Sequence, residues 1–221
     1  MKKIMMIEKV GDMPFYGDLC FLDIYLKIFP NSKKSEILEL FEYCVLTSIS
    51  TFARTETDEM IADITKQQYP LEHFINSPIP TYISEYVGVI GELFLGGMID
   101  FGTICDDEDY SKIDYPTNLS YYGNSKYETW KYFRDNFFYK CAFERGSYSE
   151  DEEWEIFYYD TNWDEPNNWS PYNIWVCRTK KGIEYYEKTL APKIYERYKD
   201  VEIIVDDDGE IVGYNAVWFK F

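Results

Sequence analysis

The chain has 221 residues, of which 46% are hydrophobic and 19% aromatic, and its forty Asp or Glu against 22 Lys or Arg give a net charge of −18. A chain of this length buries roughly 70% of the surface its unfolded form exposes, so it needs neither metal nor disulfide to fold. Disordered acidic tails are poor in aromatics, which excludes that class; the charge also disfavours nucleic acid and anionic membranes as ligands and favours a basic partner.

Helical spacing dominates the first hundred residues. Leu19, Leu22, Leu26 and Phe29 form one stripe over 18–29, ended by Pro30 and Asn31. A longer helix is predicted over 33–54, with Ile37, Phe41, Cys44, Ser48 and Phe52 in line and Leu38, Val45 and Ile49 beside them. Thr55 and Asp58 form a capping-box pattern that opens a third helix to about Gln68, and Pro70, Pro78 and Pro80 then break the chain. The stretch 81–95 has only Glu85 and Glu92 as charges and is closed by Gly96 and Gly97, so it is expected to be the central helix of the core. Residues 102–124 read as a connecting loop. Ser125 with Glu128 caps an aromatic-rich helix to about Phe143.

Beyond Gly146 the texture changes. Residues 154–159 and 173–178 alternate as strands, and 180–198 returns to helix, with Pro192 expected to kink it or to start a new one. The end of the chain reads as a β-hairpin, 201–205 and 211–219, turned by Asp206, Asp207, Asp208 and the left-handed Gly209. The expected class is therefore α+β, with a helical N-terminal half and a mixed strand and helix C-terminal half ending in a β-hairpin. The expected organisation is a helical subdomain over 1–104, an acidic connecting loop over 105–124 and an α+β subdomain over 125–221, or one continuous domain.

Motifs for chemistry are sparse. Cys20, Cys44, Cys105, Cys141 and Cys177 are odd in number and widely spaced, which predicts buried thiols in a reducing compartment. His73 is the sole histidine, which with no closely spaced cysteines disfavours a zinc centre, and a Cys–His nucleophile would depend wholly on it. Gly91, Gly96 and Gly97 fit no phosphate-binding spacing. Setting Gly209 at the sixth position of a calcium loop places Ile204 first and Asn215 last, and neither fits. Lys2 and Lys3 precede only four apolar residues before Glu8, too few for a signal segment, and no run approaches the ~20 apolar residues of a membrane span. A cytoplasmic location, no cofactor and no metal are the expectations.

The most unusual stretch is 144–165, where nine acids face the single base Arg145, a local charge of −8, among Trp154, Phe157, Tyr158, Tyr159 and Trp163. Aromatics supply rigid contact area, and carboxylates around them steer and complement Lys and Arg. The expected partner-binding residues are Glu152, Glu153, Trp154, Glu155, Asp160, Trp163, Asp164 and Glu165, joined by Asp106, Asp107, Glu108 and Asp109. The function this implies is an acidic binding protein that sequesters a basic protein such as a nuclease or toxin, an inhibitor of immunity or anti-defence type with a nucleic-acid-mimicking surface. Aromatics inward and acids outward on an ordinary sheet would produce the same alternation. No catalytic residue is assigned. The alternative from another class is a hydrolase using a carboxylate pair on a glycan: Glu153 and Glu155 share one strand face, and the tryptophans with Asn167 or Asn168 would form the sugar platform.

One further pattern concerns two separated pieces. Residues 174–186, with Thr179-Lys180-Lys181-Gly182 between strand and helix, resemble the strand-to-helix end of winged-helix domains. Residues 90–101, containing Gly96-Gly97-Met98-Ile99, resemble the close of a recognition helix. The resemblance covers about a tenth of the chain, the pieces lie about 80 residues apart, and it implies a degenerate winged-helix regulator. Residues 178–199 carry seven bases and three acids, against the overall charge.

Overall fold

The computed structural model describes residues 1–12, 21–49, 61, 64, 83–103, 118–123, 125–139, 163–170, 173–209, 211–215 and 217–218. In chain order the elements are β1 (Lys2–Met5), α1 (Phe21–Ile28), α2 (Lys34–Ser48), α3 (Ile83–Leu95), β2 (Ile99–Thr103), α4 (Lys126–Phe133), β3 (Ile174–Arg178), α5 (Lys180–Tyr185), α6 (Ala191–Tyr198), β4 (Glu202–Val205), β5 (Ile211–Tyr214) and β6 (Val217–Trp218). This is an α+β fold with helices in the N-terminal half and a strand hairpin at the C-terminal end. Its described strands form a four-stranded sheet in the order β1-β4-β5-β6 and a two-stranded sheet of β2 and β3. All these pairings are antiparallel.

Two strands escape a reading by local pattern. The N-terminal β1 pairs Lys2 with Val205 and Met5 with Glu202, so the start of the chain completes the C-terminal sheet. β2 lies where the sequence suggests the start of a loop, and it pairs Ile99 with Arg178 and Thr103 with Ile174. Both pairings join the stretch before residue 104 to the stretch after 125. The second half of the hairpin also departs from expectation. Gly209 does take the left-handed conformation, at φ 93°. The predicted strand 211–219, however, is divided at Asn215, whose φ of 37° turns the chain between β5 and β6. Asn tolerates that region better than most residues.

α2 carries the largest apolar face among the described helices. It starts where the Lys33 amide donates to the Glu36 carboxylate at 2.7 Å, and it ends as Ile49 turns extended. Ile37, Leu40, Phe41, Tyr43, Cys44, Val45 and Leu46 are buried along it. Phe41 meets Tyr86 of α3 edge-on at 5.3 Å. On another side, Glu39 accepts from both Lys193 and Arg197 of α6, and Glu42 accepts from Tyr185 of α5 at 3.0 Å. Burial pushes Glu39 up, but the bonds from Lys193 and Arg197 outweigh it and hold its carboxyl below the ordinary value. Burial wins at Glu42, whose carboxyl is raised. Burial also raises Asp100 of β2, against the opposing bonds from Asn118 and Ser120.

Lys180–Tyr198 runs as helix throughout, as the periodicity predicts, but Pro192 is accommodated in a specific way. A proline nitrogen cannot donate to the carbonyl four residues before it. The chain widens into one π-helical turn over Tyr186–Leu190, where the Ala191 amide donates back to Tyr186, and α6 resumes with Pro192 in its first turn.

The junction of β3 and α5 is locked to the turn after α3. The Thr179 amide donates to the Met98 carbonyl at 2.9 Å, and its hydroxyl donates to the Gly97 carbonyl at 2.6 Å. The same hydroxyl accepts from the Gly182 amide at 3.1 Å and so caps α5, while Lys181 donates to the Gly96 carbonyl at 2.7 Å. Gly182 is required by contact: a Cβ there would stand 1.9 Å from the Met98 carbonyl oxygen.

Two predictions follow from this packing. Gly182→Ala should gain up to about 1 kcal/mol by helix propensity alone. The Met98 contact reverses the sign, so denaturant unfolding should show a loss of about 1–3 kcal/mol. A midpoint equal to or above that of the parent would mean α5 is not seated on this turn.

The second concerns pH. The raised carboxyls of Asp100 and Glu42 add stability that is full below the unfolded-state values of about 4 and is lost as pH rises through their folded values. The lowered carboxyls of Glu39 and Glu85 act oppositely, adding stability above their unfolded values that is lost as pH falls through the folded ones. The melting temperature should therefore rise on acidification from pH 8 to about pH 5 and fall below about pH 4. A maximum above pH 7 would contradict this.

Candidate functional site

The surface around residues 122–135 and 163–169 is built outward from an aromatic core. Ser125 caps α4 by accepting from the Glu128 amide at 3.1 Å, as the sequence pattern predicts. Trp130 and Phe133 then face inward three residues apart. The helix continues as a π-helical turn over Arg134–Phe138, which turns both Phe137 and Phe138 inward. Phe133 is the hub. Its ring centroid lies 5.1 Å from Phe101 of β2, 5.3 Å from Phe137, 5.3 Å from Trp163 and 5.8 Å from Trp169. Trp163 and Trp169 also meet edge-on at 5.3 Å.

Trp163 is therefore not a surface anchor. Only 1% of it is exposed, and its indole N–H has no hydrogen-bond partner. Its ring packs edge-on against both Phe133 and Trp169, and the unmet N–H is the cost of that position. Trp169 is buried as well, so neither serves as an open sugar platform. The adjacent Asp164 and Glu165 do face solvent. Asp164 accepts from the Tyr122 hydroxyl at 2.8 Å, and Glu165 accepts from the Asn168 amide at 2.9 Å across a short helical turn, Pro166–Asn168. Asn173, fully buried, fastens this turn to the start of β3: its Oδ1 accepts from the Ser170 amide at 2.7 Å and its Nδ2 donates to the Asn168 carbonyl at 2.6 Å. Glu152, Glu153, Trp154, Glu155 and Asp160, with Asp106, Asp107, Glu108 and Asp109, lie outside the described residues, as does His73.

Beside Asp164 stand tyrosines that the sequence reading passed over. Tyr132 is 37% exposed, stacked on Tyr122 with centroids 6.3 Å apart, and edge-on to Trp169 at 5.8 Å. Tyr127 is 58% exposed on the same helix. The bond to Asp164, aided by burial, pushes the Tyr122 phenol up to about 12. Glu128 and Asp135 flank Tyr132 at helical spacing and are exposed, although Asp135 pairs with Arg134 at 2.7 Å. A signal was present: with Trp130, Phe133 and Phe137 facing inward, the wheel of this helix leaves Tyr132 on the opposite side. What the structure assembles is a stacked pair of tyrosines, Tyr122 and Tyr132, bonded to the Asp164 carboxylate and seated against the buried Trp169.

The two pieces that resemble a winged helix come together through β2 and β3, with Thr179 and Lys181 bonded to the Gly96–Met98 turn. The helix before β2 presents Ser84, Glu85, Gly88 and Glu92 toward solvent or partly so, and it contains no base. The basic segment is largely committed within the fold. Lys188 pairs with Glu184, Lys193 and Arg197 with Glu39, Lys199 with Glu196, and Arg178 lies 4.6 Å over the Tyr186 ring.

As for a carboxylate pair, Asp100 is bonded by the Asn118 amide at 2.9 Å and its own neighbour's backbone at 3.0 Å, with no second carboxylate among these partners. Among the described residues, no group of His, Cys, Asp or Glu is placed to hold a metal ion, and no helix is long and apolar enough to cross a membrane. Cys44 is a buried thiol, and Cys177 is half-buried. Compared with protein-family models, curated proteins and solved structures, the chain matches none.

The opposite placements of neighbouring residues yield a prediction. Trp163→Ala should cost about 3–5 kcal/mol of stability. Asp164→Asn and Glu165→Gln should each stay within about 0.5 kcal/mol of the parent in the same unfolding assay. A Trp163→Ala variant as stable as the parent would put that tryptophan outside the core.

Proposed function

We propose that this chain is a cytoplasmic binding protein that captures and blocks a basic protein, such as a nuclease or toxin, by presenting carboxylates where that partner meets nucleic-acid phosphates. The exposed Tyr132, stacked on the half-buried Tyr122 that holds the exposed Asp164, carries the reading. Tyrosine is rigid, amphipathic and enriched at binding hot spots.

Charge supports the reading. The described residues hold 21 carboxylates and 16 Lys or Arg, whereas the remaining segments hold 19 and six, including Asp106–Asp109 and most of 144–160. With forty acids and 22 bases in all, many carboxylates have no intramolecular cation to pair with. Such a field speeds encounter with a basic protein and opposes wrong partners. In this reading Trp163 seats the surface, while contact falls to the tyrosines, Asp164, Glu165 and the acids Glu152, Glu153, Glu155 and Asp160 with Trp154.

A second reading, a degenerate winged-helix regulator, draws support from the pairing of β2 with β3. As a DNA reader it would need a basic footprint, and the base-free helix before β2 with the committed lysines and arginines of 178–199 opposes that. A winged-helix-like core that binds protein is compatible with the first reading.

The test uses the chain as bait in extract of its source cell at about 0.05 and 0.3 M salt. A basic protein should be retained at low salt and released at high salt. Combined reversal of Asp164 and Glu165 to Arg should slow its association about tenfold or more and flatten the salt dependence. Reversal of Glu152, Glu153 and Glu155 should act in the same direction. Retention indifferent to both sets of reversals, or duplex DNA binding at about 0.15 M salt, would overturn the proposal.

A further inference from the structure

Tyr122 touches two groups of different chemistry. Its hydroxyl donates to the exposed Asp164 carboxylate at 2.8 Å, and its ring stacks at 27° to that of the exposed Tyr132. Tyr132 is braced in turn by Trp169, a core residue, and its backbone carbonyl accepts from Asn136 at 2.8 Å. A π-face and a carboxylate are thus fixed beside each other before any partner arrives, which lowers the ordering cost of binding.

A cation suited to both must stack and also hydrogen-bond within a plane. Guanidinium does this: it lies flat on aromatic rings and offers parallel N–H donors to a carboxylate. An ammonium is a strongly hydrated point charge and gains less from the ring. The protein uses the same pairing internally at Arg134, which lies 5.0 Å over the Tyr139 ring while bonded to Asp135 at 2.8 Å.

We propose that Tyr132 and Asp164, bridged by Tyr122, form a receptor for an arginine side chain of the basic partner. This rests on the binding reading above and narrows it: the partner presents arginine, not lysine, to this part of the surface. The overall charge of −18 draws both bases in, and the ring with its carboxylate discriminates between them.

The probes are two fluorescently labelled peptides of equal length and charge, one alternating arginine with glycine and one alternating lysine with glycine. Their affinities for the whole chain are measured by anisotropy at about 0.15 M salt. The arginine peptide should bind about tenfold more tightly. Tyr132→Leu and Asp164→Asn should each remove most of that advantage while leaving lysine-peptide binding nearly unchanged. Because Asp164 is exposed and Asn keeps its shape, Asp164→Asn keeps the test open if Tyr132→Leu proves unstable. Equal affinities that fall together on combined reversal of Asp164 and Glu165 would overturn the arginine assignment and leave the basic-partner reading intact. An arginine preference that survives both single substitutions would also overturn it. Absence of binding by either peptide would overturn both.

Discussion

Phe133 organises the part of the molecule on which the functional account depends. Its ring meets β2 through Phe101, the end of its own helix through Phe137 and Phe138, and the segment before β3 through Trp163 and Trp169. Edge-to-face and stacked pairs of this kind contribute about 0.5–1.5 kcal/mol each beyond the area they bury. Because the cluster draws both tryptophans inward, the chain between them must run along the surface, and Asp164 and Glu165 are left in solvent. Outward charge is thus a consequence of inward packing.

The second constraint is the clasp between the turn after α3 and the start of α5. Thr179 serves two purposes with one hydroxyl, donating to Gly97 and accepting from Gly182. Gly182 allows the helix to approach the Met98 carbonyl closely, so the register of β2 against β3 and the entry of the final helix are set together. Long-range pairing of this sort carries the entropic cost of closing a long loop before its contacts are gained. The pairing of β1 with β4 has the same character. Both sheets bind early residues to late ones.

Legibility in the sequence followed the range of the interactions. Helices α1, α2 and α3 were readable because their apolar spacing and their closing residues are local, and so were the Ser125 cap and the Gly209 turn. β2 was not: Asp100 and Gly102 interrupt its five residues, and only the distant partner at 174–178 makes them a strand. The π-helical turn before Pro192 was foreseen as a disturbance but not in kind. At the candidate surface, Asp164 and Glu165 face solvent, whereas Trp163, which the sequence pattern sets beside them, is buried. Its acidic neighbours make the stretch polar on average, yet burial is decided side chain by side chain, and the rings around Phe133 come from three segments. The tyrosines Tyr122 and Tyr132 were missed because their meeting depends on α4 lying against the turn that carries Asp164.

Among the described residues, many bases pair with acids of the same chain, while Asp164 and Glu165 face solvent. Glu39 gathers Lys193 and Arg197, and Lys181 is spent on a backbone carbonyl, so the cations mainly staple helices. Hydroxyl-radical footprinting of the native chain, read residue by residue by mass spectrometry, tests the arrangement most directly. Tyr127 and Tyr132 should be modified rapidly, and Trp163 and Trp169 only after unfolding. Modification of native Trp163 as fast as Tyr127 would contradict the claim that buried tryptophans seat the acidic surface.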